Sequence, residues 1–579
     1  MSRHLPLRGL PGLLLTALPL AAFGAPDAGS LLQQIESRPV PLLAAPGLKK
    51  PATPTPPAAR VAGATVRINE FRIEGNQLLD TTTLQRALAG FSGRDLSLTQ
   101  LQEAAWVIVQ TYREAGWLVH AYVPPQAIEG GIISLKVIEA KLGQLRIDAP
   151  KNARLPLQHI QAMADAQLAA GQPINLNQVN RLLLLLEDLP GTVASATYAE
   201  GTAPGSTDVL LRLAEAKKTQ TRLMVDNFGG VSTGSNRLSA NLALNNMSGH
   251  GDLLAMQAVA SQGSNYARAA YMLPVGLQGW RAGFHASALN YKLVGSFASS
   301  QTGKTIFSGT AFTWGADLSV PLLRSQQKNV SLQISTDRKT FDNEALANSV
   351  ATATSTISKY QIDVIRSGIN ANWFDQWITP AQNSASVLLT TGSVDLNGSP
   401  SAAGDSSAAR TAGRFHKINM GYNREQGLSG QLSAYLQAGA QFANRNIDSS
   451  EKLYLGGASG VRAYPSNEAG GTSGYTFTTG LKHRLDQAWT LNGFADWGRI
   501  QVYKNNSNAA GTALLTAANT LALKGVGLQV NWQGSQGKEL SATWSRRQGD
   551  NPGANTTTGA DSDGTRPLNR LWLSAALNF

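Results

Sequence analysis

The sequence lacks cysteine, is poor in charge and, beyond its first 24 residues, has no apolar run long enough to cross a membrane as a helix. The absence of Cys among 579 residues excludes disulfides and thiol chemistry, and it is compatible with an oxidising compartment. The later apolar run from Leu182 to Leu186 is far shorter than the roughly 20 residues that a helical span needs. A chain that crosses a membrane without such helices must form a closed β-barrel, because each unpaired backbone amide in hydrocarbon costs several kcal/mol.

Charge is scarce as well as uneven. Charged residues make up 15% of the chain and 37 residues are acidic, so the formal charge is +12, or +10 without Arg3 and Arg8. A basic balance of this size fits nucleic acid, lipopolysaccharide phosphate or a cationic channel wall, but the cations are spread along the chain, which disfavours nucleic acid. What is abundant is Gly, with 57 residues, and a second half rich in Ser, Thr, Asn and Ala, which is typical of many short strands and turns.

The first 24 residues have the features of a secretory signal peptide. Two arginines precede an apolar run from Leu10 to Phe23, and Ala22-Phe23-Gly24 offers a cleavage site flanked by small residues. A membrane-anchor helix is the alternative, but two prolines interrupt a run of only about 14 residues where a span needs about 20. The sequence therefore predicts that the mature chain begins outside the cytoplasm.

A short amphipathic segment follows the predicted signal peptide. From Ala28 to Ser37, one face carries Leu31, Leu32 and Ile35, whereas two glutamines and a glutamate lie on the other. The next stretch is rich in Pro, Ala and Thr, a composition that gives an extended, semi-rigid tether. A helix on a tether is a movable element. The alternative is a disordered amino terminus without a role, because ten residues rarely form a helix unaided.

Two segments of about 75 residues then repeat one plan. The first predicts a strand with Val66, Ile68, Phe71 and Ile73, a helix over 98–115, and strands over 119–123 and 132–139. The second predicts a strand over 142–147, helices over 157–170 and 176–186, and strands over 192–198 and 208–215. Each segment is too small for a large core, so each is expected to expose a sheet edge that another extended chain can join through main-chain hydrogen bonds.

From about Thr219 onward, segments of alternating apolar and polar residues dominate. Strands of about 9 to 11 residues plus loops would place on the order of 14 to 18 strands, about 16, in the rest of the chain, and a barrel of that size encloses an aqueous lumen. The last segment, Leu571 to Phe579, is apolar at every odd position. Its terminal aromatic looks like the targeting signature of bacterial outer-membrane proteins, although a soluble β-sandwich could end in the same way by chance.

Four groups of short motifs are spread over nearly the whole mature chain. Two lie in the predicted barrel: Leu455-Gly456-Gly457 with Val461-Arg462-Ala463-Tyr464 and Gly474-Tyr475, and then Gly493-Phe494-Ala495-Asp496-Trp497-Gly498. Two lie in the tandem segments: Tyr112-Arg113-Glu114-Ala115-Gly116-Trp117 with Val123-Pro124-Pro125-Gln126 and Val137-Ile138-Glu139, and then Leu186-Glu187-Asp188-Leu189-Pro190-Gly191. In combination they resemble the two-partner secretion transporters (TpsB type, haemolysin secretion/activation family), a branch of the outer-membrane assembly superfamily that carries POTRA domains.

The resemblance implies a transmembrane antiparallel β-barrel of about 16 strands, preceded by two small α+β POTRA domains and an N-terminal plug helix. The expected boundaries are 1–24 for the signal peptide, 25–38 for the plug helix, 39–65 for the linker, 66–141 for POTRA 1, 142–216 for POTRA 2 and 217–579 for the barrel. The residues expected to matter are, for the pore-loop lock, Val461, Arg462, Ala463, Tyr464, Phe494, Asp496 and Gly498; for the plug, Leu31, Leu32 and Ile35; for the POTRA motifs, Tyr112, Gly116, Pro124, Gln126, Asp188, Leu189, Pro190 and Gly191; and for barrel targeting, Phe579.

Arg462 needs a partner if it lies inside a barrel. Its guanidinium is always charged and carries a planar fork of donors, and Asp496, at an inward-facing position of a later strand, could accept from it. Such a pair would fix the loop at one position in the lumen without adding much net stability, whereas a solvated loop arginine is the alternative. Ala463 stands where the family usually has Gly, which concerns only the backbone freedom of the loop tip.

The function that the resemblance implies is export. The chain is expected in the outer membrane of a Gram-negative bacterium, where it would recognise an unfolded exoprotein of the haemolysin or adhesin type through its periplasmic POTRA domains and secrete it through the barrel. The expected partners are that exoprotein, outer-membrane lipid and lipopolysaccharide, and the barrel-assembly machinery and periplasmic chaperones during biogenesis; no nucleic acid and no cofactor are expected. An insertase of the same superfamily is the alternative, which two POTRA domains and a tethered helix disfavour.

Catalytic and metal-binding interpretations have little support in the sequence, and the chain is not expected to be an enzyme or to hold a metal. Gly303-Lys304-Thr305 copies the end of a phosphate-binding loop, but the first Gly of that loop is absent. Asp561-Ser562-Asp563-Gly564 matches part of a calcium loop without its terminal Glu, so a solvated surface turn is expected. The 7 His residues show no metal-ligand spacing, and no nucleophile beside a His supports a barrel enzyme.

Overall fold

The computed structural model describes residues 26–36, 64–150, 153–295, 306–346, 355–516 and 518–579. The predicted signal peptide, most of the Pro-rich tether and the string Gly303-Lys304-Thr305 lie outside these ranges. None of the helices within them combines the length and the apolar character that a membrane-crossing helix needs.

Helices are concentrated in the first part of the chain and strands in the second. The helices are α1 (Ala28–Glu36), α2 (Thr81–Leu88), α3 (Leu98–Glu114), α4 (Leu157–Asp165), α5 (Leu176–Glu187) and α6 (Ala402–Ser407). The first strands are β1 (Thr65–Ile68), β2 (Glu70–Glu74), β3 (Arg94–Ser97), β4 (Val119–Tyr122), β5 (Ile132–Glu139), β6 (Lys141–Asp148), β7 (Thr192–Glu200) and β8 (Ser206–Glu215). The later strands are β9 (Thr219–Asp226), β10 (Arg237–Asn245), β11 (Leu253–Ser261), β12 (Ser264–Val275), β13 (Trp280–Lys292), β14 (Ile306–Arg324), β15 (Lys328–Leu346), β16 (Ser355–Asp375), β17 (Ala381–Asp395), β18 (Gly413–Gly427), β19 (Leu432–Ala443), β20 (Leu453–Tyr454), β21 (Gly470–Gly471), β22 (Ser473–Arg484), β23 (Trp489–Gln501), β24 (Thr520–Gln533), β25 (Lys538–Arg547) and β26 (Asn569–Asn578).

Sixteen antiparallel strands close into a barrel, which confirms the predicted architecture. The order runs from β9 to β19 and then from β22 to β26, which returns to β9. Side chains alternate between the two faces, as a period of two requires. On β26, Leu571 and Leu573 are half exposed on the outer face, whereas Trp572 between them is buried on the inner face.

The barrel is closed by a short seam between β26 and β9. The ladder between these strands has five residue pairs. Phe579, the predicted targeting residue, extends it at one end with two backbone hydrogen bonds to Thr221, at N–O distances of 2.9 and 3.4 Å. At the other end, the Asn227 side chain takes the place of a missing strand residue, because it accepts from the Leu573 N–H at 2.8 Å and donates to the Leu571 carbonyl at 2.9 Å.

The two small domains share one topology, as predicted. In each, the first and third strands are parallel and the second is antiparallel to the third, in the orders β2-β5-β4 and β6-β8-β7. Two helices in each domain cover one face of its sheet with apolar side chains. Backbone hydrogen bonds join the domains, including Leu118 N–H to the Ile174 carbonyl at 3.1 Å.

Two predictions for these domains were wrong, and one helix was missed. The strand expected through Val66 and Ile73 is divided, because β1 pairs with β3 in a separate two-stranded sheet and β2 pairs with β5. Helix α2 was missed because its β-branched threonines have low helix propensity; the Asp80 side chain, which accepts from the Thr83 N–H at 2.6 Å, was the available signal. Helix α4 ends at Asp165, earlier than predicted, because the following residues form turns that bring the chain back to β6, where the Gly171 N–H donates to the Leu142 carbonyl at 2.8 Å.

The second small domain is fixed to the turns at one end of the barrel through the residues that follow α5. The Asp188 carboxylate accepts two hydrogen bonds of 2.9 Å from the Arg324 guanidinium, which is nearly buried. Leu189 lies so close to Gly251 that a Cβ there would meet it at 3.0 Å. The string that was expected to mark POTRA 2 therefore lies at the joint between that domain and the barrel.

We expect Asp188→Ala to loosen this joint. The substitution leaves the buried Arg324 without its carboxylate, a change of about 3 kcal/mol. The exposed Lys217-Lys218 connection joins this domain to the barrel, and its two carbonyls accept hydrogen bonds from the Asn245 main chain and side chain. A looser joint should weaken these hydrogen bonds, so trypsin should cleave the connection faster. The matched control is Asp148→Ala, which removes a solvent-exposed pair with Arg212. Equal cleavage rates for the two variants would contradict the assignment.

Candidate functional site

The segment between β19 and β22, residues 444–472, folds into the lumen instead of extending away from the barrel. Its tip is held in a compact turn by backbone hydrogen bonds, including Val461 N–H to the Leu455 carbonyl at 2.7 Å. Ala463 and Tyr464 are fully buried there, against apolar residues of the barrel wall such as Leu523. The predicted lock residues of this segment are thus all inside the barrel.

Arg462 and Asp496 form the ion pair that the sequence predicted. The Arg462 Nε and Nη2 atoms donate to the two Asp496 carboxylate oxygens at 2.9 and 2.7 Å, and the Arg462 backbone N–H donates to the same carboxylate at 3.1 Å. The guanidinium also lies 3.3 Å from the centre of the Phe494 ring. The Arg462 carbonyl accepts from the Ser545 hydroxyl at 2.6 Å and from the Trp572 indole N–H at 2.7 Å. One residue therefore connects β23, β25 and β26.

Glycines on the inner wall make room for the tip. A Cβ at Gly498 would lie 2.8 Å from Leu455, and a Cβ at Gly525 would lie 2.8 Å from the Ala463 Cβ. Strand glycines often mark such close approaches. Ala463 itself does not have a positive φ, so the methyl group that replaces the usual Gly of the family is accommodated by Gly525 and not by a special backbone conformation.

The base of the same segment is anchored by Glu451, which the sequence analysis missed. Its carboxylate, nearly inaccessible to solvent, lies 2.9 Å from Lys339 Nζ, 2.7 Å from Lys417 Nζ and 3.3 Å from Arg366 Nη2. Burial alone would raise the pKa of the Glu451 carboxyl, but these three cations hold it well below its usual range. No local motif marks Glu451, because its partners come from β15, β16 and β18.

The loop between β25 and β26 provides a third anchor, and here the predicted solvated turn was wrong. Asp561 is buried and pairs with Arg547 and, at 3.2 Å, with Arg570. The Ser562 hydroxyl and backbone N–H donate to Glu468 of the inward segment at 2.6 and 2.9 Å. The acidic string is buried because inward-facing arginines neutralise it. Within the described ranges, no group of three or more His, Asp or Glu side chains could hold a metal.

Helix α1 lies in the lumen beside the inward segment. Leu31 and Leu32 are buried against the barrel wall and Ile35 is partly buried. Asp27 caps the helix by accepting from the Ser30 N–H at 2.8 Å, and it also accepts from the Ser449 hydroxyl at 3.0 and 2.8 Å. The helix therefore occupies the position that was predicted for a plug, in contact with both the wall and the loop.

The POTRA 1 motif residues hold that domain together. The Tyr112 hydroxyl donates to Glu139 at 2.8 Å, and burial together with this carboxylate raises the pKa of the tyrosine. Gly116 has a φ of 90°, which favours glycine at the end of α3. The Gln126 side chain, in the turn that begins at Pro124, bonds the N–H and carbonyl of Ser134 at 2.8 Å each and thus extends the sheet beyond β4.

The remaining POTRA 2 motif residues face the barrel. Gly191 has a φ of 83°, and a Cβ there would lie 3.3 Å from Asn245 at the end of β10. Pro190 is half-buried between Leu189 and Gly191. The Arg154 guanidinium donates to the Asn245 carbonyl at 3.2 Å, which adds a second polar contact between the domain and the same turn.

Comparison with known proteins agrees with this arrangement. Residues 205–523 match the family described as "Haemolysin secretion/activation protein ShlB/FhaC/HecB", and residues 66–140 match "POTRA domain, ShlB-type". The "Heme/hemopexin transporter protein HuxB" of Haemophilus influenzae (strain 86-028NP) is 26% identical over 570 residues, 96% of each chain. The "Outer membrane transporter CdiB" of Dickeya dadantii (strain 3937) is 19% identical over 525 residues, 84% of this chain and 82% of its own.

Solved structures share the fold. CdiB from Escherichia coli superposes with a TM-score of 0.62 at 17% identity over 96% of each chain. BamA from Haemophilus ducreyi lacking POTRA domains 1-3 superposes with a TM-score of 0.53 at 14% identity, over 89% of this chain and 100% of its own. The family match spans more than half of the chain, including most of the barrel. The chain therefore belongs to the ShlB/FhaC/HecB family of haemolysin secretion/activation proteins, outer-membrane barrel transporters of two-partner secretion with periplasmic POTRA domains.

Proposed function

We propose that this transporter recognises an unfolded exoprotein, of the haemolysin or adhesin type, through its POTRA domains and secretes it through the barrel lumen. The observation that carries the proposal is a wide barrel whose lumen is filled by two separate elements, one of which is a short helix that belongs to the periplasmic end of the chain. A pore built only to stay open needs no such helix. Folding of the exoprotein outside the cell makes its return unfavourable and thereby drives transport.

Deletion of the gene tests this proposal. We expect the culture medium or cell surface of the deletion strain to lack one large protein, encoded beside the transporter, while the set of assembled outer-membrane proteins is unchanged. Complementation with the wild-type gene is the control. The opposite pattern, with barrels missing from the membrane and secretion intact, would favour an insertase, the function that the superfamily resemblance offers as an alternative.

Strand addition is the proposed mode of recognition. Strand β7 is the longest edge strand of the two POTRA sheets, with nine residues, and among the residues that the structure describes it pairs only with β8. Most of its side chains are exposed, including Val193 and Tyr198. An extended segment of the exoprotein can therefore reach both its main chain and its apolar side chains, the combination that gives affinity and selectivity in β-augmentation.

Amide exchange measures this recognition. On addition of the amino-terminal domain of the exoprotein, the β7 amides of the full-length transporter should exchange more slowly, because new inter-strand hydrogen bonds protect them. The central strand β8 is the internal control, since both of its edges are already paired with β6 and β7. Unchanged β7 exchange with the exoprotein domain bound would contradict recognition at this edge.

We further propose that α1 is the plug and must leave before transport begins. Leu31→Asp together with Leu32→Asp would place two carboxylates in an apolar contact without partners, which disfavours the docked helix. The single-channel conductance of this helix-release variant in planar bilayers should exceed that of the wild type. Gln33→Glu, on a half-buried position of the same helix, is the matched control. Equal conductance of all three proteins would exclude a plug role.

The Arg462–Asp496 pair is proposed to lock the inward segment in a transport-competent position. Arg462→Ala leaves the Asp496 carboxylate buried without its cation, and Arg462→Lys keeps the charge but loses the two-pronged contact. Export should fall by on the order of tenfold in Arg462→Ala, and somewhat less in Arg462→Lys. The matched control, Arg338→Ala, removes an exposed pair with Asp363. Heat-modifiable migration on gels verifies that the barrels are folded; normal export by Arg462→Ala would contradict the lock.

A further inference from the structure

The lumen has an apolar wall that a wide barrel does not need. Barrels of this size usually have a polar interior, because water fills it. Here inward-facing side chains from β11 to β18 form one cluster with helix α1, and each is less than a tenth exposed. Its members include Val259, Leu289, Ala311, Phe341, Ile362 and Phe415.

The opposite part of the lumen has a different character. Inward-facing residues of β17, β18, β19 and β24 carry amide side chains around a chamber of about 360 Å³ next to Arg462. Four of them are Gln382, Asn423, Gln437 and Gln529. Gln382 and Gln437 are exposed to this chamber. The wall that α1 covers therefore differs from this amide-lined side, and a separate apolar patch of the wall, which includes Leu523, lies under the inward segment.

Helix α1 defines the chemistry that this wall accepts. Ala28, Leu31 and Leu32 fill its apolar part, and all three are almost completely buried. At one end, the Ala28 N–H donates to Asn343 at 3.0 Å. At the other, the Glu36 carboxylate accepts from the Tyr266 and Ser287 hydroxyls at 3.1 and 3.0 Å, with Arg268 at 3.7 Å. The wall thus suits a short segment with adjacent apolar side chains and a carboxylate at its carboxyl end.

Departure of the helix leaves this wall without a cover. Exposure of these apolar side chains to an aqueous lumen is unfavourable. The polypeptide in transit passes beside them, and its apolar side chains can cover them. We propose that the apolar wall is a binding site for amphipathic segments of the exported polypeptide, which α1 occupies in the resting transporter. This inference rests on the proposed export function and adds to it a chemical preference within the lumen.

The inference has a consequence for plug displacement. The helix and a segment of the exported chain cannot occupy the wall together, so each excludes the other. A chain in transit keeps the helix out, and the helix returns when the last segment has passed. Asn343 lies at one end of the apolar wall and Arg268 at the other, and these two side chains can bind the polar groups of either occupant.

Export by double variants tests the site without interference from plugging. In the helix-release background, with Leu31→Asp and Leu32→Asp, the helix no longer competes, so a further Leu289→Asn changes the wall that the exported chain meets without changing plugging. We expect export of the exoprotein to fall at least several-fold relative to the release variant alone. The matched control is Gln437→Asn in the same background, on the amide-lined side. Equal export with and without Leu289→Asn, in barrels shown to be folded by heat-modifiable migration, would overturn the proposal.

Thiol labelling gives a second test that tolerates weak folding of Leu289→Asn. Because the chain has no Cys, Ala311→Cys reports on the wall alone. In the full-length release variant, this thiol should react with a charged, water-soluble methanethiosulfonate. A short peptide of unrelated sequence with two adjacent leucines and a glutamate near its carboxyl end should slow the reaction. The same peptide with glutamine in place of both leucines should not slow the reaction. A thiol at Gln437→Cys should react with the methanethiosulfonate at the same rate in the presence of either peptide.

The outcomes separate the two proposals. If the methanethiosulfonate labels Ala311→Cys at the same rate in the presence of either peptide, the apolar site is overturned even if export is normal. Selective protection by the leucine peptide, with no exoprotein exported by the wild type, would leave the site intact and contradict the export function. Export together with selective protection supports both.

Discussion

Closing sixteen strands gives each strand two hydrogen-bonded neighbours, as a lipid-embedded sheet requires, but it also creates an interior too wide for the wall side chains to fill. The rest of the molecule is organised around this constraint. The segment over residues 444–472 and helix α1 lie side by side in the lumen, and the acidic loop between β25 and β26 packs against the segment. The barrel alone would enclose a wide open lumen; in the complete molecule two elements of different chemistry occupy that lumen.

The two occupants are held by different forces. The inward segment is fixed by charges: Arg462 with Asp496, Glu451 with three cations, and Glu468 with the last loop. Desolvation offsets much of the attraction in such pairs, so their main effect is to select one position among many. Helix α1 is held by apolar contact through Leu31 and Leu32, with polar contacts at its two ends. Apolar contact is non-directional, which fits the proposal that this helix docks, leaves and is replaced.

Local patterns in the sequence were sufficient for the barrel, the tandem domains and the Arg462–Asp496 pair, because alternation and short motifs encode them. The misses have a common origin. Glu451 and Asp561 form their ion pairs with arginines and lysines that the barrel strands bring to them. The apolar inner wall escaped notice for a related reason: alternation predicts that two faces differ, but at Phe341 or Phe415 it does not say which face is the lumen. Helix α2 was hidden by its threonines, whose weak propensity tertiary packing overrides.

The carbonyl of Arg462 accepts hydrogen bonds from β25 and from Trp572 on β26, the strand that closes the cylinder. The inward segment is synthesised before either strand exists, so its tip cannot reach its final bonding until the end of the polypeptide has arrived. The tip therefore completes its hydrogen bonds only when the last two strands are in place. A chain truncated before β26 would lack the closing strand of the barrel and also the Trp572 indole that bonds the tip of the inward segment.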